Sequence, residues 1–428
     1  MVEAGASRSG APATNQMPRE IWVLVGAAFL IAIGYGLIAP TLPVFVRSFD
    51  VGITAASLVI SAFAFFRLVF APASGRIVAR FGEVPAFCTG LLVVALSTGA
   101  CALAGTYWQL LTLRGLGGIG STMFTVSALS LLIRLAPVEM RGRASGMWAT
   151  GFLLGNIVGP LVGGGLAAVS LRAPFFVYAG VLVVVVLFAG PLLRGRGGTG
   201  QVEKGPPEPP ARFRDAVGHP TYRAALTASF ANGWLVIGVR VALVPLFVVE
   251  AMGLPEAWGG IALAVFAAGN AGTLLLAGRW ADRRGRRPPV IAGLAVSAVV
   301  TGVLGLLTEP PLFLAASLVA GMGSGLVNPP MNAAVADVIG SRARGGTVLA
   351  GFQMSADLGA IIGPVLAGAL AENAGFPAAF AVTGAVALVS LGFWLRAPET
   401  RPAAPPAAAA EESLAECSVT ECPDRTSR

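Results

Sequence analysis

Gly278-Arg279-Trp280-Ala281-Asp282-Arg283-Arg284-Gly285-Arg286-Arg287-Pro288 sets five arginines and one aspartate in eleven residues, between two apolar runs that are each long enough to cross a bilayer. A short loop of that charge cannot enter hydrocarbon, so it belongs at a membrane face, and its sign points to the cytoplasmic one. A weaker copy, Gly75-Arg76-Ile77-Val78-Ala79-Arg80-Phe81-Gly82-Glu83, lies 203 positions earlier. Gly75, Arg76, Arg80 and Gly82 match Gly278, Arg279, Arg283 and Gly285. The chain therefore reads as two related halves, each with a basic hairpin between its second and third spans.

Composition agrees. Of 428 residues, 55% are hydrophobic and 12% charged, where a soluble domain carries about 25% charged residues. The net charge of +8 is spread over short loops and forms no stripe, which excludes a nucleic-acid surface. Twelve spans are expected, near 21–46, 53–75, 84–104, 107–133, 144–169, 173–193, 223–250, 256–278, 288–307, 311–338, 345–371 and 376–396. Each meets the roughly 20-residue requirement of a membrane helix, and only helices satisfy their backbone in lipid for runs of this kind. The first run is too long for the core of a signal peptide.

With the N-terminus inside, 24 of the 29 Lys and Arg fall in cytoplasmic segments. Both termini are thus expected in the cytoplasm of a cell-membrane protein. The expected division is a cytoplasmic segment 1–20, six-helix bundles at 21–193 and 223–396, a central loop 194–222 containing His219, and a disordered tail 397–428. Cys88 and Cys101 read as packing residues, and Cys417 and Cys422 lie in the tail.

The repeat extends beyond the hairpins. Leu42-Pro43-Val44-Phe45 echoes Val244-Pro245-Leu246-Phe247. Gly118 and Gly120 echo Gly321 and Gly323, and Gly155-x3-Gly159-Pro160 echoes Gly359-x3-Gly363-Pro364. At the same offset Glu83 stands opposite Arg286, and Arg134 opposite Asp337. Each half can therefore pair its hairpin with the end of its fourth span, the signs being reversed between halves.

Six plus six helices in parallel repeat, the basic hairpins and the long central loop resemble the major facilitator superfamily over roughly residues 20–396. Its loop signature is complete at Gly278, Asp282, Arg283, Gly285, Arg286 and Arg287, whereas the first-half copy has Ala79 in place of the aspartate. The resemblance implies an all-α membrane fold of two pseudo-symmetric six-helix bundles. It also implies a latch, built from Glu83, Arg134, Asp282, Arg286 and Asp337, that favours the outward-open state. Gly151, Gly155, Gly159, Pro160 and Gly163 in the fifth span resemble the antiporter motif of the superfamily's drug:proton exporters. Glycines four apart also let a neighbouring helix approach closely, and the proline permits a bend. Arg114 resembles the family arginine linked to proton transfer; a structural partner to backbone carbonyls is the alternative.

Arg67, Arg114 and Arg240 lie within spans, and Asp357 is the one deep acid. Spans 2 and 11 face each other in the resembled fold, so Arg67 and Asp357 are expected to meet, as a gate or strut between halves or as the proton site. The substrate cavity is expected between spans 1, 4, 7 and 10, with help from 5, 8 and 11, and with Tyr35, Met123, Phe124, Asn232, Trp234, Asn270, Asn328, Met331, Asn332 and Gln353 as candidates.

No nucleotide-binding loop or metal-ligand cluster stands in the sequence, so neither a cofactor nor a metal is expected, and an enzyme is not expected. The reading is a monomeric secondary transporter in the lipid bilayer that exports an amphipathic small molecule, as in multidrug resistance efflux, in exchange for protons. Export or exchange of an organic anion or metabolite, and ligand sensing without transport, remain the alternatives.

Overall fold

The computed structural model describes residues 17–136, 140–193, 213–339 and 346–400. Among the described residues the regular elements are all helical. They are α1 (Arg19–Ile38), α2 (Leu42–Arg47), α3 (Ile53–Phe81), α4 (Glu83–Leu103), α5 (Tyr107–Leu135), α6 (Arg141–Ala167), α7 (Ala173–Leu193) and α8 (Phe213–Gly218). They continue with α9 (Pro220–Asn232), α10 (Arg240–Leu246), α11 (Ala257–Arg284), α12 (Arg287–Leu304), α13 (Pro310–Ile339) and α14 (Gly346–Arg396). The N-terminal segment to residue 16, the loop 194–212 and the tail from 401 lie outside the described residues. The second half starts earlier than expected, because His219 caps α9: its Nδ1 accepts the Thr221 N–H at 3.3 Å.

Among the described residues, eleven helical stretches are long and apolar enough to cross a membrane. The last, α14, has 51 residues, roughly 75 Å at the helical rise and more than twice the hydrocarbon thickness. Gly375 breaks it with φ +83°, so α14 supplies spans 11 and 12 as two arms, which accounts for the expected twelve. Gly82 (φ +87°) and Gly285 (φ +99°) end α3 and α11 in the same left-handed conformation. A side chain would be strained there, and the two glycines are 203 residues apart. The sequence repeat is thus also a repeat of backbone geometry.

Helices α1 to α7 pack mainly on one another, as do α9 to α14; between the halves, α3 meets α14 and α6 meets α11. The end that carries the arginine-rich hairpins is here termed the basic end and the opposite one the far end. Outward-facing apolar side chains such as Leu96, Phe188 and Val389 are more than 60% exposed, a surface suited to lipid and costly in water.

Span 7 is not a plain α-helix. Two π-helical stretches, Gly233–Val239 and Phe247–Ala251, flank α10. Pro245 in α10 has no N–H to donate, and Gly233 and Gly238 lie against Ala356 and Pro364 of α14. Each π turn takes an extra residue and rotates the succeeding side chains round the helix.

Candidate functional site

Two faces of α6 establish the site. Gly151, Gly155, Gly159 and Gly163 lie against α1: a Cβ on Gly155 would sit 2.7 Å from the Phe29 carbonyl oxygen, and one on Gly159 2.7 Å from the Gly36 Cα. Only glycine allows that approach. One step round the helix, Trp148, Phe152, Asn156 and Pro160 line a cavity between the halves. They recur every four residues, so a single helix face carries them.

The cavity measures about 590 Å³. Its wall also includes Tyr35, Phe63, Arg67, Arg114, Phe124, Arg240, Phe266, Asn270 and Asp357, drawn from both halves. Of the ten candidates named from sequence, Tyr35, Phe124 and Asn270 line it. Met123 is buried in the packing of α5, and Met331 belongs to a second apolar cluster with Tyr222, Val335 and Trp394. Asn232, at the end of α9, lies outside the lining, and within the π-helical stretch the Trp234 indole donates to Thr383 Oγ1 at 3.3 Å, while Val236, Ile237, Arg240 and Val241 face the cavity. Asn328 and Asn332 lie outside the lining, on the α13 turns toward the basic end. Gln353 lies one turn before Asp357 and hydrogen-bonds its carboxylate without lining the cavity.

Phe63, Trp148, Phe152, Asn156 and Phe266 were missed. The first and last were recoverable, because they are 203 residues apart. The other three share a four-residue spacing that the adjacent glycine pattern overshadows.

Arg67 and Asp357 do meet, Nη2 to Oδ1 at 3.8 Å. That is an ion pair but too long for a hydrogen bond. It is the innermost of a series of polar ties between the halves. Toward the far end Ser61 Oγ donates to the Ile361 carbonyl at 2.7 Å, and Thr54 N and Oγ1 donate to Glu372 Oε2 at 2.9 and 2.6 Å. At the tip Arg47 Nε donates to Glu250 Oε1 at 2.7 Å. Beside them Gly164 of α6 packs against Ala257 and Gly260 of α11. The far end is therefore closed.

Both hairpin pairs form. Arg134 Nη2 stands 3.1 Å from Glu83 Oε2, and Arg286 reaches Asp337 at 3.2 Å and Asp282 at 2.7 Å. Burial opposes the Arg286 charge, but the hydrogen bonds to Asp282 and Asp337 outweigh it and hold its pKa above the ordinary value. Each pair lies within its own half and coexists with the closed far end. A third component was unforeseen: Glu399 accepts the backbone N–H groups of Arg286 (2.7 Å) and Arg287 (3.0 Å), capping α12.

Comparison with known proteins gives the geometry its family. Over 171 residues the chain is 30% identical to the quinolone resistance protein NorA of Staphylococcus aureus, an alignment covering 40% of this chain and 43% of that protein. Over 167 residues it is 28% identical to multidrug resistance protein 1 of Bacillus subtilis, covering 39% and 43%. The chain thus spans less than half the length of the curated relatives it matches. The inward-facing, unoccupied crystal structure of a bacterial homolog to the human lysosomal transporter Spinster superposes with a TM-score of 0.75 at 16% identity, covering 90% of this chain and 97% of that one; the likeness is one of fold. Residues 24–270 and 225–421 match the Major Facilitator Superfamily, and this multi-pass membrane protein belongs to that superfamily.

Proposed function

We propose that the chain is a secondary transporter that exports an amphipathic small molecule by alternating access, with protons entering in exchange. One observation carries this reading: a cavity of about 590 Å³ lies between two halves whose ties, among the described residues, run from Arg67–Asp357 in its wall to Arg47–Glu250 at the far end. Reversing that closure would turn the same pocket to the other compartment. The excess of arginine at the basic end favours a cytoplasmic location for that end. The cavity wall is largely aromatic and aliphatic, with a few polar groups, which suits a ligand with a substantial apolar body. The resistance-protein names of the two relatives favour efflux.

Asp357 is the coupling residue. It is the one acid in the cavity wall, and its partner Arg67 belongs to the opposite half. A proton on Asp357 removes its attraction for Arg67, and so loosens a tie that crosses the interface the motion must open.

Proteoliposomes of the intact protein test this reading with cationic, neutral and anionic amphipathic dyes. An acidic lumen should drive accumulation of at least one dye, and a protonophore should abolish it. Asp357→Asn should lose the response to pH but retain dye-for-dye exchange. Accumulation indifferent to the gradient would remove proton exchange, and the absence of exchange for every dye would remove transport.

A further inference from the structure

Two arginines in the cavity have no acid to answer them. Arg114 of α5 and Arg240 of α10 come from opposite halves and are 6% and 5% exposed. Each lies on an aromatic ring: Cζ of Arg114 is 4.3 Å from the centroid of Phe63, and Cζ of Arg240 is 3.8 Å from that of Phe266. Those rings occupy the same position of the repeat, 203 residues apart. Their backbones are clasped alike, Phe63 against Gly118 and Phe266 against Gly321, a further pair separated by 203. The two halves thus hold one guanidinium each by equivalent supports.

A ring face offsets only part of the cost of burying a guanidinium. Arg114 Nε and Arg240 Nε and Nη1 are buried and meet no acceptor among the described residues. Asp357 cannot serve, since it is the sole carboxylate in the wall and stands beside Arg67. With that pair neutral, the cavity retains two positive charges with unused donors. A cationic ligand would be repelled, and a neutral one could accept hydrogen bonds but would leave both charges uncompensated. A carboxylate satisfies both, because its oxygens match the planar donor fork of arginine.

We propose that Arg114 and Arg240 together form the receptor for the carboxylate of an amphipathic organic anion, whose apolar body lies against Phe124, Trp148 and Phe152. That the anion is carried across the membrane rests on the transport reading above; that it binds does not.

The test is equilibrium binding to the full-length protein in nanodiscs of zwitterionic phosphatidylcholine. The probes are 2-naphthoate, its neutral amide and 2-naphthylmethylammonium, which share one apolar body. The acid should bind at least about tenfold tighter than the amide, and the ammonium weakest, as charge-assisted hydrogen bonds require. Arg114→Gln and Arg240→Gln should each reduce the preference for acid over amide to within about threefold, chiefly by weakening the acid. Should either variant fail to give a monodisperse protein, Arg114→Lys and Arg240→Lys are read in its place; they keep the charge, lose the fork and should show a smaller preference. Equal binding of acid and amide by the unaltered protein, or a preference untouched by the substitutions, would overturn the proposal. Acid preference without pH-driven uptake would sink the transport reading and leave the site standing. Uptake confined to cations, with no acid preference, would do the reverse.

Discussion

A single methyl group on Gly260 should bias the whole protein toward opening at the far end. Built on the backbone, that Cβ would lie 3.0 Å from the Gly164 Cα and 3.1 Å from its nitrogen, and also press on the Pro160 carbonyl. Ordinary contact is about 3.5–4.0 Å, and the obstructing atoms are backbone, so α6 and α11 must separate. Overpacking of this kind costs about 1–3 kcal/mol. Alanine also gains helix propensity over glycine, but α11 stays helical in both conformations, so that gain cancels from the equilibrium between them. The packing cost alone remains, and it shifts the balance by about 5- to 150-fold. Spin labels at Arg80→Cys and Leu349→Cys, exposed sites near the basic ends of α3 and α14, would report the change in a background lacking the four native cysteines. As the far end opens the basic ends approach, and weight moves to a shorter distance. Gly278→Ala in the same helix is the control, because nothing lies within 4 Å of its added methyl. If Gly260→Ala and Gly278→Ala give the same distance distribution, the α6–α11 contact does not hold the far end shut.

Two further outcomes are expected at the basic end. Glu83→Ala should lower resistance to denaturation in SDS by about 1–3 kcal/mol, the range for removing the partner of a buried polar group. The exchange Glu83→Arg with Arg134→Glu should recover most of that loss, since the groups stand 3.1 Å apart; simple additivity of the single losses would mean that the pair is not coupled. Glu399→Gln removes a full charge from the start of α12, worth about 0.3–1 kcal/mol. Amide hydrogen exchange at Arg286 and Arg287 should quicken several-fold, and unchanged rates would show that the cap is dispensable.

The legible part of the sequence is its period. The 203-residue offset is enough to pair Glu83 with Arg134 and Arg286 with Asp337, because duplicated halves place equivalent residues in equivalent contacts. Arg67 and Asp357 are legible for a different reason: spans 2 and 11 face each other in the resembled fold, which sets the one deep acid opposite one of three arginines within spans. The cavity wall is harder to read. Trp234 carries the right chemistry, but the π-helical stretch that contains it changes the register, and no simple 3.6-residue count accommodates that. Glu399 is hidden by composition, since it begins a polar segment that reads as tail while its carboxylate closes onto α12.

Three sides of α6 are committed. One side is glycine for α1, the next carries Trp148, Phe152 and Asn156 into the cavity, and Gly164 meets α11, with Pro160 at the junction of all three. The remaining positions, such as Leu154, Val158, Leu161 and Val162, face outward. Those three sides are poor places for selection to experiment, because each already meets a neighbour or the cavity. Changes in ligand preference should therefore accumulate on α3, α5 and α11, which also bear cavity residues, while the inner sides of α6 stay nearly constant as the hub about which its neighbours diversify.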